Sequence, residues 1–114
     1  MKLKIFQKAY EFAIKVHHAS LKLPKFELYE QGSQVRRSSK SIKDTIVEGY
    51  GRRRYKADYI KFLVYAQASC DEWANQIEMI REIYIDIKDF DSIYNEYSIL
   101  GKMINKFIQS IERR

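Results

Sequence analysis

Helix breakers and sulfur are scarce in this chain. It holds one proline, Pro24, and four glycines, Gly32, Gly49, Gly51 and Gly101. So few interruptions predict long helices. The single Cys70 excludes an internal disulfide and any zinc site built on cysteine pairs. Its helical, half-apolar surroundings predict a small buried hydrophobe and a reduced, cytoplasmic setting. No apolar run approaches the roughly 20 residues of a membrane-spanning helix. The start, Met1 to Lys8, lacks the apolar core of a signal peptide. The basic residues of the chain would also suit the surface of anionic lipid. Repeats, low-complexity tracts and domain linkers are also absent, so 1–114 reads as one domain.

Metal and catalytic patterns are missing too. His17 and His18 are adjacent, so on a helix they point about 100° apart and cannot share a metal from one face. A di-iron bundle needs Glu three residues before His, and here Ile14 and Lys15 stand at those positions. There is no phosphate loop, no serine nucleophile elbow and no ordered Cys/His pair. The carboxylates Asp71, Glu72, Glu78 and Glu82 form no acid/base pair. Glu72 shares a side with Asn75, Gln76 and Met79, which predicts polar contacts between helices. These absences point to a protein that is not an enzyme and needs no cofactor or metal.

What the chain has is apolar periodicity. Hydrophobic residues make up 46% and aromatics 14%, enough for a folded core. A first helix is predicted from about Ile5 to Lys22, with Ile5, Phe6, Ala9, Tyr10, Ala13, Ile14, His17 and Leu21 on its apolar face. Pro24 closes it. A second helix is predicted from about Phe26 to Tyr50. Its inner face, Val35, Ser39, Ile42, Ile46 and Gly49, is apolar but small, flanked by Ser38, Ser41 and Thr45, and invites close helix approach. Gly49 and Gly51 supply its stop. A third helix is predicted from about Ala57 to Tyr84. Its main stripe is Tyr59, Phe62, Leu63, Ala66, Cys70, Trp73, Ile77, Ile80 and Tyr84; Tyr65, Ala68, Met79 and Ile83 form a second. Asp91 or Ser92 is the expected N-cap of a fourth helix from about Ile93 to Ile111, with Ile93, Tyr97, Leu100, Ile104, Phe107, Ile108 and Ile111 inward. Short connections between four helices predict an all-α, antiparallel up-down-up-down four-helix bundle. The surplus apolar surface on the third helix, the small-residue face of the second and nine tyrosines predict a homo-oligomer.

The charge is concentrated. Between Gln34 and Lys56 stand Arg36, Arg37, Lys40, Lys43, Arg52, Arg53, Arg54 and Lys56 against Asp44 and Glu48. This segment carries the whole formal net charge of +6, because the other residues divide 13 basic and 13 acidic. A surface of this kind meets a polyanion. Arg36, Lys40 and Lys43 fall at i, i+4 and i+7, one stripe roughly 110° from the Ile42/Ile46 face. Arg37 points toward Asp44 and Glu48, as a structural ion pair or a ligand contact. Gly51 to Lys56 reads as a tight turn in which guanidinium groups grip phosphate and Tyr55 or Tyr50 stacks on a base. Cations at a helix C-terminus also simply offset the helix dipole, so a solvated turn explains part of the pattern. The candidate nucleic-acid-binding residues are Arg36, Lys40, Lys43, Arg52, Arg53, Arg54 and Lys56. The rival reading is a protein-interaction scaffold whose basic segment meets an acidic partner.

Several blocks carry a family resemblance. They are Phe6-Gln7-Lys8-Ala9, Gln34-Val35-Arg36-Arg37-Ser38, Ser41-Ile42, Ile46-Val47-Glu48-Gly49-Tyr50-Gly51-Arg52, Tyr59-Ile60-Lys61-Phe62-Leu63, Glu72 with Gln76, and Gly101-Lys102-Met103-Ile104. Over nearly its whole length the chain resembles the bacterial 23S rRNA intervening-sequence proteins. It departs from their pattern at Lys43 and Thr45, where proline and asparagine are usual, and at Cys70 and Trp73, where leucine is usual. The resemblance implies a four-helix bundle. It extends to the accessory variability proteins of diversity-generating retroelements, and through them implies a basic homopentamer that binds RNA or DNA and a reverse transcriptase.

Overall fold

The computed structural model describes residues 3–114, so of the expected domain 1–114 only Met1 and Lys2 lie outside the described residues. Five helices follow one another: α1 (Lys4–Ser20), α2 (Lys25–Leu28), α3 (Gln31–Tyr50), α4 (Lys56–Ile83) and α5 (Asp89–Glu112). The four long ones form an all-α bundle of about 46 × 22 × 21 Å. Contacts between neighbouring helices pair residues in opposing chain order. Ser38 and Ser41 on α3 bond Gln76 and Ser69 on α4. Gln67 and Arg81 on α4 bond Asn105 and Asp91 on α5. Lys15 and Lys22 reach Glu96 and Asp89 on α5 at 2.6 and 2.7 Å. Each of those lysine contacts lies at the surface and contributes little, on the order of 0–1 kcal/mol. Their partners still respond: the hydrogen bond from Lys22 holds the Asp89 carboxyl below its usual range, and Glu96 raises Lys15.

The inner face predicted for α3 is fully buried: Val35, Ser39, Ile42, Ile46 and Gly49. Ser38 is buried beside it and donates to the Gln76 carbonyl at 2.7 Å, while Gln76 donates to Glu72 at 3.2 Å. The small-residue face expected to serve subunit contacts is therefore covered within one chain, by α4. Gly49 is required by that packing. A Cβ there would meet Phe62 Cβ at 3.1 Å and a Tyr59 ring carbon at 3.4 Å. Neither Gly49 nor Gly51 adopts the left-handed conformation of a glycine stop, and Gly51 stays right-handed at φ −62°. The end of α3 is instead a tightening of hydrogen bonds: Gly51 N–H donates to the Val47 carbonyl and Arg52 N–H to the Gly49 carbonyl.

Three boundaries differ from expectation. The helix predicted over Phe26–Tyr50 is broken at Glu30, whose φ −104° and ψ −99° are not helical. Side-chain contacts fasten the short α2 across this break. The buried Glu27 carboxylate accepts from Tyr84 Oη at 2.6 Å, and the Leu28 carbonyl accepts from Arg36 at 2.8 Å. The last helix begins at Asp89 with Lys88 before it, and no side chain caps it. Asp91 accepts from Arg81, and Ser92 donates back to the Asp89 carbonyl. Phe90, read as part of a connection, is fully buried in the first turn of α5.

On α1 the buried arc is Ile5, Ala9, Phe12, Ala13, Val16, Ala19 and Ser20. It is rotated from the predicted face, and Tyr10, Ile14 and Leu21 are exposed. Phe12 lies in this arc, and its ring meets Trp73 edge-on at 4.7 Å. On α4 the main stripe is buried as predicted except at Phe62 and Tyr84, which are half-buried.

Candidate nucleic-acid interface

The turn between α3 and α4 is built by backbone hydrogen bonds. Arg53 N–H donates to the Tyr50 carbonyl and Tyr55 N–H to the Arg52 carbonyl. Residues 51–58 are all exposed. Each of the first two arginines is held in a defined direction. Arg52 donates one Nη1–H to the Glu48 carbonyl at 2.8 Å and lies 4.4 Å from the Phe62 ring centroid. Arg53 donates one to the Tyr50 carbonyl at 3.0 Å and lies 4.1 Å from the Tyr50 ring. Those carbonyls belong to the last turn of α3, the negative end of the helix dipole. A guanidinium has five N–H donors, so most of each fork stays open. Arg54 forms no side-chain hydrogen bond or ion pair among the described residues.

Lys56 closes the other side of the turn. Its ammonium donates to the Glu112 and Arg114 carbonyls at 3.0 and 2.8 Å, the end of α5. This brings Arg113 and Arg114, both exposed, beside the turn. Sequence reasoning missed them, because they stand almost sixty positions away and sum with acidic residues when charge is counted along the chain.

The second part of the expected stripe divides. Arg36 commits two of its donors within the chain. Its Nη1 donates to Ser20 Oγ at 2.9 Å and its Nη2 to the Leu28 carbonyl at 2.8 Å, locking the α1 end and α2 onto α3. Lys40 is exposed and has no ion pair among the described residues. Lys43 reaches Asp44 at 2.7 Å, the neighbouring residue on the same helix. Arg37 is exposed and likewise unpaired among the described residues, so the ion pair weighed for it with Asp44 or Glu48 is absent there.

Lys40 and Lys43 border a groove of about 200 Å³ between α1 and α3, whose other lining residues are Tyr10, Ala13, Ile14 and His17. Partial burial, reinforced by Lys40 and Arg36, lowers the His17 imidazole below its ordinary pKa. His17 and His18 rings stand 5.8 Å apart at 88°. No cluster of three metal-ligating side chains exists among the described residues. Burial pushes the Cys70 thiol up to about 12, which suits a packed core residue rather than a nucleophile. No described helix is long and apolar enough to cross a membrane.

Comparison with known proteins agrees with this picture of a helical bundle. The solved structures include a similar one, a protein of unknown function from the S23 ribosomal protein family of Bacteroides thetaiotaomicron VPI-5482. It is 25% identical, with a TM-score of 0.77 over 91% of this chain and 97% of that one. No curated protein matches the chain. Neither the structural neighbour nor the family points to an enzyme. The family model described as 23S rRNA-intervening sequence protein matches residues 1–106, and the chain belongs to that family.

Proposed function

We propose that this protein is a non-enzymatic nucleic-acid-binding module that holds the phosphates of RNA or DNA at the basic end of its bundle. The observation that supports this is the Arg52-Arg53-Arg54 turn. Two of its guanidinium groups are pre-oriented by one carbonyl and one aromatic ring each, with the remaining donors open. Ordering long side chains before binding lowers the entropy lost on binding. Lys56, Arg113 and Arg114 extend the surface, and Lys40 and Lys43 add to it along α3. Arg36 is left out, because two of its donors are engaged within the chain. A reduced compartment such as the cytoplasm suits both the ligand and the free thiol.

The test is anisotropy of a labelled oligonucleotide at two salt concentrations. Phosphate contacts make log K fall with log salt by about 0.7–0.9 per contact. Replacing Arg52, Arg53 and Arg54 together by Ala removes three. Between 50 and 200 mM salt, the parent should then lose about 20–40-fold more affinity than the variant. Equal binding by parent and variant at both concentrations would exclude the turn as the contact surface and favour the scaffold reading.

Self-association is a second reading, favoured by α4. The second stripe of that helix, Tyr65, Ala68, Met79 and Ile83, is exposed along its length. Such a stripe on a monomer marks a contact surface. A ring of subunits would repeat the basic turn and raise affinity by avidity. Light scattering after gel filtration should give a multiple of 13.7 kDa, five copies if the resemblance holds. A mass near 13.7 kDa at all micromolar concentrations would refute it.

A further inference from the structure

The groove between α1 and α3 has a composition that the basic turn does not explain. Its floor is apolar and its edge is cationic. Tyr10 is 49% exposed and Ile14 45%, although both carry the helical spacing of core residues. The rotation of α1 onto Trp73 leaves them outside the core. Beside them, the His17 ring adds an aromatic surface. Phe6 packs on Tyr10 with ring centroids 6.0 Å apart and prolongs the aromatic strip toward the basic end.

The opposite edge follows from the spacing on α3. Lys40, Lys43, Val47 and Tyr50 lie within an arc of about 80° at 100° per residue. From Lys40 to Tyr50 they run about 15 Å along the helix. Arg53 then lies over the Tyr50 ring at 4.1 Å, so this edge runs into the Arg-rich turn. Asp44, beside the edge, takes a single bond from the Lys43 ammonium. That pair is partly exposed and contributes little, so it yields readily to a phosphate.

We propose that this groove takes an unpaired base of a single-stranded nucleic acid, stacked on Tyr10, while Lys40, Lys43 and Arg53 hold the adjoining phosphates. The proposal rests on the nucleic-acid reading above and narrows it to single strands. A flat apolar ring joined to an anion a few bonds away is what the floor and edge together fit. In a duplex the base faces are covered by their neighbours, and only phosphates would reach the protein. Stacking on aromatic side chains tolerates any base, so little sequence preference is expected. An acidic amphipathic helix of a protein partner offers a related pattern, and the test separates the two.

The experiment measures binding of labelled single-stranded and duplex oligonucleotides of equal length to the parent, Tyr10→Ala and Tyr10→Phe proteins. Tyr10 is half-exposed, so the fold should survive, and helical circular dichroism checks this. The parent should prefer the single strand. Tyr10→Ala should weaken single-strand binding about tenfold and leave duplex binding unchanged, and Tyr10→Phe should restore it. If the parent binds both forms equally and Tyr10→Ala changes neither, the groove holds no base, although the turn still binds phosphate. If the parent binds neither form, the nucleic-acid reading itself fails. Displacement of a bound single strand by a short acidic amphipathic helix, with Tyr10→Ala weakening the peptide alone, would assign the groove to a protein.

Discussion

Trp73→Ala should destabilise the bundle by about 3–5 kcal/mol, the largest effect of any single substitution expected here. Trp73 is fully buried at the centre of α4. Its ring meets Phe12 of α1 at 4.7 Å and Tyr97 of α5 at 5.6 Å, with Tyr94 at 6.4 Å. Truncation removes contacts to two neighbouring helices at once and leaves a cavity between them. The midpoint of thermal unfolding should fall by about 10–30 °C. Urea titration followed by circular dichroism measures the loss without relying on tryptophan emission. Trp73→Phe is the informative companion. The indole Nε1 is buried with no hydrogen-bond partner among the described residues. An unmade bond of this kind costs about 1–3 kcal/mol, so removing the N–H offsets part of the lost volume. Trp73→Phe should therefore cost much less than Trp73→Ala. Equal costs of the two variants would contradict this expectation.

The parts of this fold legible in the sequence are those set by local contrast. On α3 the small and apolar residues stand clearly apart from the charged ones, and every residue predicted on its inner face is buried. On α1 apolar residues occupy a wide arc, so periodicity alone does not choose which part faces inward. The part that does face inward includes Phe12, which meets Trp73, a contact between residues sixty-one positions apart. The break at Glu30 has no proline or paired glycine to announce it. It is held by Tyr84 on Glu27 and by Arg36 on Leu28, both tertiary contacts. Gly49 was visible as a special position, but its reason is the approach of Phe62 and Tyr59 rather than a turn.

The candidate site divides in the same way. The Arg52-Arg53-Arg54 cluster is contiguous, and its anchors, Glu48 and Tyr50, lie within four residues. Composition suffices to find it. Arg113 and Arg114 join it only because the end of α5 packs beside the start of α4, which Lys56 records by bonding that end. Helical spacing alone also places Arg36 with Lys40 and Lys43. Spacing gives the side of a helix on which a residue lies, but not whether a neighbouring segment has already taken its donors.

Arg36→Ala tests that distinction, and it should cost stability rather than binding. Two charge-assisted hydrogen bonds disappear, to Ser20 Oγ and the Leu28 carbonyl. Ser20 Oγ is itself committed to the His17 carbonyl at 2.7 Å, and the Leu28 carbonyl loses its side-chain partner at the end of α2. The expected loss is about 2–3 kcal/mol. Arg36→Lys should recover only part of it, because a single ammonium does not reproduce the fork that bridges two acceptors. The space is shaped for the guanidinium as well: a Cβ on Gly32 would stand 3.2 Å from Arg36 Nη1. Lys40→Ala, on the same stripe, should do the opposite, leaving urea stability within about 0.5 kcal/mol and weakening oligonucleotide binding. Arg36→Ala protein that is folded at low temperature should bind the oligonucleotide as the parent does. Unchanged stability with weakened binding would mean that Arg36 leaves Ser20 and Leu28 to reach the ligand.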